Sequence, residues 1–126
     1  MRALALCLIV AVPTCKPSRP EPTSGAVRRY GDVMSEVGRR FERSGRAAVA
    51  QSWELAAYDV GEIAEAFESD VPAATPPPEV HIDLRPTAAA FLAAHPGALR
   101  RAIEAHDRAA FDAAFASAAA ACNGCH

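Results

Sequence analysis

The residues with the clearest chemical potential are the last five of the sequence, Cys122, Asn123, Gly124, Cys125 and His126. The two thiols stand three positions apart, and the histidine directly follows the second one. This spacing matches a covalent haem attachment site, in which both thiols bond to the porphyrin and the histidine binds the iron. We therefore predict that Cys122 and Cys125 hold one haem c and that His126 is the proximal ligand of its iron.

Two other uses of the cysteine pair are weaker hypotheses. A redox dithiol lies at a helix N-terminus, where the helix dipole lowers the thiol pKa, whereas this pair lies at the C-terminus of the last predicted helix. A structural zinc site usually has four ligands. The other histidines of the sequence, His81, His95 and His106, do not complete such a set at a known zinc spacing.

The second axial position of the iron has two candidate ligands in the sequence. Met34 lies on a predicted apolar helix stripe, and its thioether would give a low-spin electron carrier with a raised potential. A methionine on such a stripe also serves as a gap-filler in the core. His81, in a predicted loop, is the less favoured ligand, and we expect His95 and His106 to be exposed or to cap helices. If Met34 only packs, the iron is open on one side and would bind a diatomic gas.

Two amphipathic helices are predicted in the first half of the chain. The apolar stripe of the first has members three and four positions apart, namely Val27, Tyr30, Met34, Val37 and Phe41. We expect this helix to stop at Ser44-Gly45, because glycine is a common helix terminator. The second helix is expected over residues 47–69, with Asp59 facing away from its apolar stripe. That stripe has the same spacing and consists of Trp53, Ala56, Val60, Ile63 and Phe67.

Two further helical regions are predicted in the second half. The third spans residues 86–105 and should kink or divide at His95-Pro96-Gly97, because proline removes a backbone donor and clashes with the preceding turn. Asp107 is the predicted N-cap of the last helix. Nine of the thirteen residues in 109–121 are alanine, which favours helix. The apolar stripe of this helix runs directly into the cysteine pair: Phe111, Phe115, Ala118, Cys122 and Cys125.

Four amphipathic segments with short connections predict an all-α fold, an antiparallel four-helix bundle over residues 27–126 with haem attached on the last helix. Bulky side chains are few, with five Phe, one Trp and two Tyr, so a bound hydrophobic cofactor would add apolar volume to a lean core. The 13 basic and 15 acidic residues give no indication of a nucleic-acid partner.

The N-terminal sequence predicts export. One arginine precedes an apolar run from Ala3 to Val12, which is short for a membrane span and typical of a secretory signal. We expect residues 1–14 to be a signal peptide of the lipoprotein type, with Cys15 as the lipidated first residue; otherwise Cys15 is an ordinary cysteine near a different cleavage point. Residues 15–26 are rich in proline and serine and should form a flexible tether. The expected location is the periplasm, in solution or anchored to the membrane.

Three segments carry a resemblance to known proteins. Residues 30–41 (YGDVMSEVGRRF), 53–67 (WELAAYDVGEIAEAF) and 111–126 (FDAAFASAAAACNGCH) resemble small exported bacterial proteins assigned as cytochromes from sequence alone. A helical bundle with Cys-x-x-Cys-His on its final helix also resembles the cytochrome c-prime class. The resemblance implies a haem c domain for electron transfer or small-ligand binding, in a bundle that often forms homodimers. Proteins of this kind usually continue past the histidine, so we expect less cover over the haem edge here.

The sequence thus favours an exported c-type cytochrome that exchanges single electrons with a redox partner protein and is not an enzyme. Two alternatives stay open. One is an open haem site that binds or senses a diatomic gas. The other is a haem-free structural or interaction lipoprotein whose cysteine pair is a residual dithiol.

Overall fold

The computed structural model describes residues 27–79, 81 and 83–124. The predicted signal peptide (1–14), Cys15, the tether (15–26), Cys125 and His126 lie outside these residues. Across the described ranges the fold is all-α, as the sequence predicts, and β-structure is limited to one isolated bridge between Arg29 and Thr75. None of the helices in those ranges is long and apolar enough to cross a membrane.

The helices follow one another with short connections. They are α1 (Tyr30–Val49), α2 (Trp53–Glu65), a π-helical turn (Ala66–Asp70), α3 (Val71–Ala73), α4 (Leu84–Ala94), α5 (Pro96–Glu104) and α6 (Arg108–Asn123). The π turn joins α2 to α3 without leaving helical geometry, because Ala66 and Val71 both keep right-handed helical angles. Helix α1 packs against α2 and α6, and α5 packs against the same two helices. Helix α4 packs against the π turn and α3.

The expected end of the first helix at Ser44-Gly45 is wrong. Helix α1 continues to Val49, and the Ser44 hydroxyl donates a hydrogen bond to the Phe41 carbonyl within it, at 2.7 Å. An added Cβ on Gly45 would lie 2.9 Å from Cζ of Phe115, so this glycine permits the close approach of α6 rather than a helix stop. The second helix consequently begins at Trp53 and not at residue 47.

The true end of α1 is a left-handed residue that is not glycine. Gln51 has φ 57°, its N–H donates to the Ala48 carbonyl (3.1 Å), and the N–H of Ser52 donates to the Ala47 carbonyl (2.8 Å). These two bonds define a Schellman motif, which satisfies carbonyl groups at a helix C-terminus. Helix α5 ends in the same way at His106, with φ 52°.

Gln51→Gly should raise the free energy of unfolding by about 0.5–1 kcal/mol, because left-handed geometry strains any residue with a Cβ. The Gln51 side chain is exposed, so little contact is lost. Urea unfolding followed by far-UV circular dichroism measures the change. Ala50→Gly, one position earlier at φ −80°, is the matched control and should lower stability. A fall in stability with Gln51→Gly would contradict the prediction.

The two boundaries predicted in the second half are confirmed. The third helical region divides at Pro96, the first residue of α5, and the N–H of His95 donates to the Phe91 carbonyl at 3.0 Å. Asp107 caps α6, accepting a hydrogen bond from the Ala110 N–H at 2.9 Å. Along the predicted stripe of α6, Phe111 and Ala118 are buried and Phe115 and Cys122 are half-buried. The last turn of α6 therefore carries Cys122 on the face that packs inward.

The predicted stripe of α2 is also confirmed, whereas that of α1 is shifted. Ala56, Val60, Ile63 and Phe67 are buried in the core. On α1 the fully buried apolar positions include Val33 and Val37, while Tyr30, Met34 and Phe41 lie half-buried at the edge of the core. Val27 precedes the helix and is 67% exposed. Two of these three edge residues, Tyr30 and Met34, border a cavity.

Candidate functional site

An apolar cavity of about 320 Å³ lies beside the last turn of α6. Its walls come from α1, the π turn, α3, α4, the junction of α4 with α5, and α6. The residues in these walls that bear on its chemistry are Met34, Phe67, Phe91, His95 and Cys122. This volume falls at the lower end of the range of cavities that hold small molecules and cofactors, roughly 300–1,000 Å³.

One wall of this cavity is a stack of aromatic rings. The rings of Phe67 and Phe91 are nearly parallel, with centroids 4.1 Å apart, and the imidazole of His95 lies 5.1 Å from the Phe91 ring. Phe67 belongs to the π turn, and the extra residue in such a turn changes where the following side chains point; π turns are frequent at functional sites. The sequence pattern predicted Phe67 on the apolar stripe but not the π turn that holds it.

Two residues that the sequence singled out meet at this cavity. Cys122 reaches it from α6 and Met34 from α1, and both are half-buried. Cys125 and His126, predicted to complete the attachment site, lie outside the described residues. His81 is exposed, and the cavity wall does not include it. Of the predicted ligands that the structure describes, Met34 is thus the one that lines the cavity together with Cys122.

His95 is a cavity residue that the sequence reasoning missed. We expected it to be exposed or to cap a helix. It does occupy the cap position between α4 and α5, without a side-chain cap hydrogen bond, but it is half-buried and lines the cavity. Pro96 is the sequence feature that could have indicated this position, because a residue at the point where two helices divide can face the interior between them. His106, expected to behave in the same way as His95, is exposed, and its ring stacks on Trp53 with centroids 5.5 Å apart.

A second polar centre joins α1 to α2 and corrects another expectation. Asp59, expected to face away from the core, is fully buried. Arg43 binds it through two hydrogen bonds, Nε to Oδ2 at 2.8 Å and Nη2 to Oδ1 at 2.5 Å, and the hydrogen bond to Asp59 raises the pKa of Arg43. Nη1 of Arg40 lies 3.7 Å from Oδ1, and Arg40 also pairs with Glu36 and Glu62. None of these five residues lines the apolar cavity; their ion pairs join α1 to α2 instead.

The donor set around the cavity fits a haem. Apolar walls and stacked aromatic rings suit a porphyrin, and Cys122 contributes to the lining of the same cavity a thiol that could form a thioether. A thioether and an imidazole, both iron ligands, are on other walls. Among the residues that the structure describes, no three His, Cys, Asp or Glu residues gather to hold a bare metal ion.

Comparison with known proteins adds no assignment. The chain matches no protein-family model, no curated protein and no solved structure. The functional argument therefore depends on the cavity and on the residues at its edge.

Proposed function

We propose that this chain is an exported c-type cytochrome that carries single electrons. One haem c would be bonded to Cys122 and Cys125, with His126 as the proximal ligand of the iron. The observation that supports the proposal most strongly is the apolar cavity beside Cys122, because a lone Cys-x-x-Cys-His sequence gains weight when one of its cysteines borders a cavity suited to a porphyrin.

We also propose that the helices form an antiparallel four-helix bundle. The long segments would be α1, α2 with its π-turn extension, α4 with α5, and α6. The packing of α1 and α5 each against both α2 and α6 supports this arrangement, since it brings the segments around one shared core. In such a bundle the cavity lies between α1, α4 and α6, near the end of the chain that carries the haem motif.

The residues of the cavity wall would have separate tasks around the haem. Phe67 and Phe91 would pack on its surface and exclude water, which keeps the surroundings of the iron apolar. Cys122 would fix one edge of the haem to α6. The haem itself supplies the one-electron chemistry, so the protein needs no catalytic side chain.

The proposed place of action is the periplasm. Residues 1–14 would direct export, and residues 15–26 would tether the domain to the membrane where Cys15 is lipidated. The partner would be another redox protein, and pairing of two copies of the chain is compatible with this role.

Expression of the full sequence, with residues 1–14, in a host that has a c-type cytochrome maturation system tests the proposal. We expect a band that stains for haem peroxidase activity on a denaturing gel, because only covalently bonded haem survives denaturation. The same chain in a host without the maturation system is the control and should give an unstained band. A folded, soluble, unstained product from the competent host would contradict the proposal and favour the haem-free alternative.

A further inference from the structure

Two side chains of types that can bind haem iron line the same cavity. Met34 lies on α1, and His95 lies at the junction of α4 and α5. His126 would occupy one side of the iron, so at most one of these two would bind the other side. The surroundings of the two side chains differ, and this difference indicates which of them would bind the iron.

Met34 has a sufficient structural role without iron. Its side chain is half-buried and packs against the apolar core. A thioether has little need of a hydrogen-bond partner, and methionine commonly fills irregular gaps in a core. Its position on the cavity wall is therefore accounted for by packing.

His95 differs from Met34 because its ring carries a donor and an acceptor. It is half-buried on an apolar wall and contacts the ring of Phe91. In the described ranges the His95 side chain forms no hydrogen bond or ion pair, and its ring nitrogens are not fully buried, so solvent reaches them. Packing therefore gives the imidazole no protein partner. An iron ion in the cavity would take the place of that solvent as the partner of one ring nitrogen.

The backbone holds His95 in place for this task. Its N–H donates to the Phe91 carbonyl, and the next residue, Pro96, is buried and begins α5. Proline has a fixed φ angle, which reduces the freedom of the junction. A ligand on a rigid junction between two packed helices loses little conformational entropy when it binds.

We infer that His95 is the second axial ligand of the haem iron, so that the iron is bound by two histidines. This inference rests on the proposed function. A six-coordinate iron of this kind is low-spin and leaves no open position for a gas. Its potential is lower than that of an iron with one histidine and one methionine ligand. The protein would then be an electron carrier rather than a gas sensor.

Optical and electron paramagnetic resonance spectra of the mature haem protein test the inference. The wild type should be low-spin in both oxidation states. His95→Ala should be high-spin in the oxidised state and should bind carbon monoxide when reduced, and added imidazole should restore the low-spin spectrum. Met34→Leu, the matched control on the facing wall, should leave the wild-type spectrum unchanged. Far-UV circular dichroism verifies that each variant is folded.

A ligand exchange gives a second readout. His95→Met keeps a ligand of similar size and should retain the low-spin spectrum with a higher midpoint potential. A residue that only packs would not cause that shift. This variant keeps the inference testable even if His95→Ala does not fold.

Three results would overturn the inference. A low-spin His95→Ala protein together with a high-spin Met34→Leu protein would make Met34 the ligand and leave the proposed function intact. A high-spin wild type that binds carbon monoxide would show an open iron site, again with haem attached. A product without covalent haem would overturn both the inference and the proposed function, and the gel stain distinguishes that case from the other two.

Discussion

Cys122→Ser with Cys125→Ser is expected to remove the haem stain completely after denaturing electrophoresis. The stain reports haem that stays on the chain when the fold is lost, and in the proposed protein the thioether bonds to these two cysteines would hold it there. A serine hydroxyl does not add to the porphyrin vinyl groups in place of the thiol. The cavity beside residue 122 would remain, since Cys122 is one of several residues in its wall.

Cys15→Ser is the matched control for this substitution. It removes a thiol that the proposal assigns to lipid attachment, so the haem stain of the protein should equal that of the wild type. Far-UV circular dichroism of the double serine variant should stay helical, because Cys122 contributes only part of the stripe of α6. A haem stain that survives in the double serine variant would exclude thioether attachment at these residues.

The helical repeat of the apolar residues and the local signals for helix starts and ends predicted much of this fold. The stripes of α2 and α6 repeat at three and four residues, and a buried helix face needs that period whatever it packs against. Pro96 and Asp107 act through local backbone chemistry, so the division between α4 and α5 and the start of α6 were readable before any packing was known.

The wrong or missing predictions have tertiary causes. Gly45 looks like a helix stop, but its missing side chain serves the approach of Phe115 from α6. Asp59 looks like a surface charge, but Arg43 from α1 compensates it inside the fold. His95 looks like a junction residue, and its position on the cavity wall depends on how α4 and α5 pack. For Gly45 and Asp59 the deciding group lies on another helix, and for His95 it is the packing of the two helices that this residue joins.

The prediction of the candidate site from the sequence is limited in the same way. The Cys-x-x-Cys-His pattern predicts a cofactor class from five residues, because the chemistry of haem attachment fixes the spacing. The residues that form the walls around a cofactor need no fixed spacing in the sequence. Phe67 meets Phe91 from within the π turn that follows α2, and the pattern of apolar residues there is the same as in an ordinary α-helix.

Asp59→Ala should lower the free energy of unfolding by about 3 kcal/mol, because it removes one partner of a buried ion pair and leaves the other uncompensated. Asp59 is fully buried on α2 and accepts both hydrogen bonds of Arg43. Nη1 of Arg40 is buried without a hydrogen-bond partner in the described part of the chain, and Asp59 is the carboxylate 3.7 Å away. The Arg43 side chain is half-exposed and would turn towards water. The loss of stability should therefore lie at the lower end of the range for buried ion pairs. Urea unfolding of the full chain measures it.

Comparison variants separate the buried charge from the mere loss of an ion pair. Glu42→Ala breaks the pair with Arg46 on the same helix, where both side chains are at least 70% exposed, and should change stability by less than about 0.5 kcal/mol. Arg43→Met with Asp59→Leu replaces both charges by apolar groups and should recover most of the loss, since an apolar pair of similar volume needs no desolvation of charge. If Asp59→Ala cost no more than Glu42→Ala, the buried carboxylate would not be what joins α1 to α2. If the apolar pair were as unstable as Asp59→Ala alone, the loss would come from packing volume rather than from charge left without a partner.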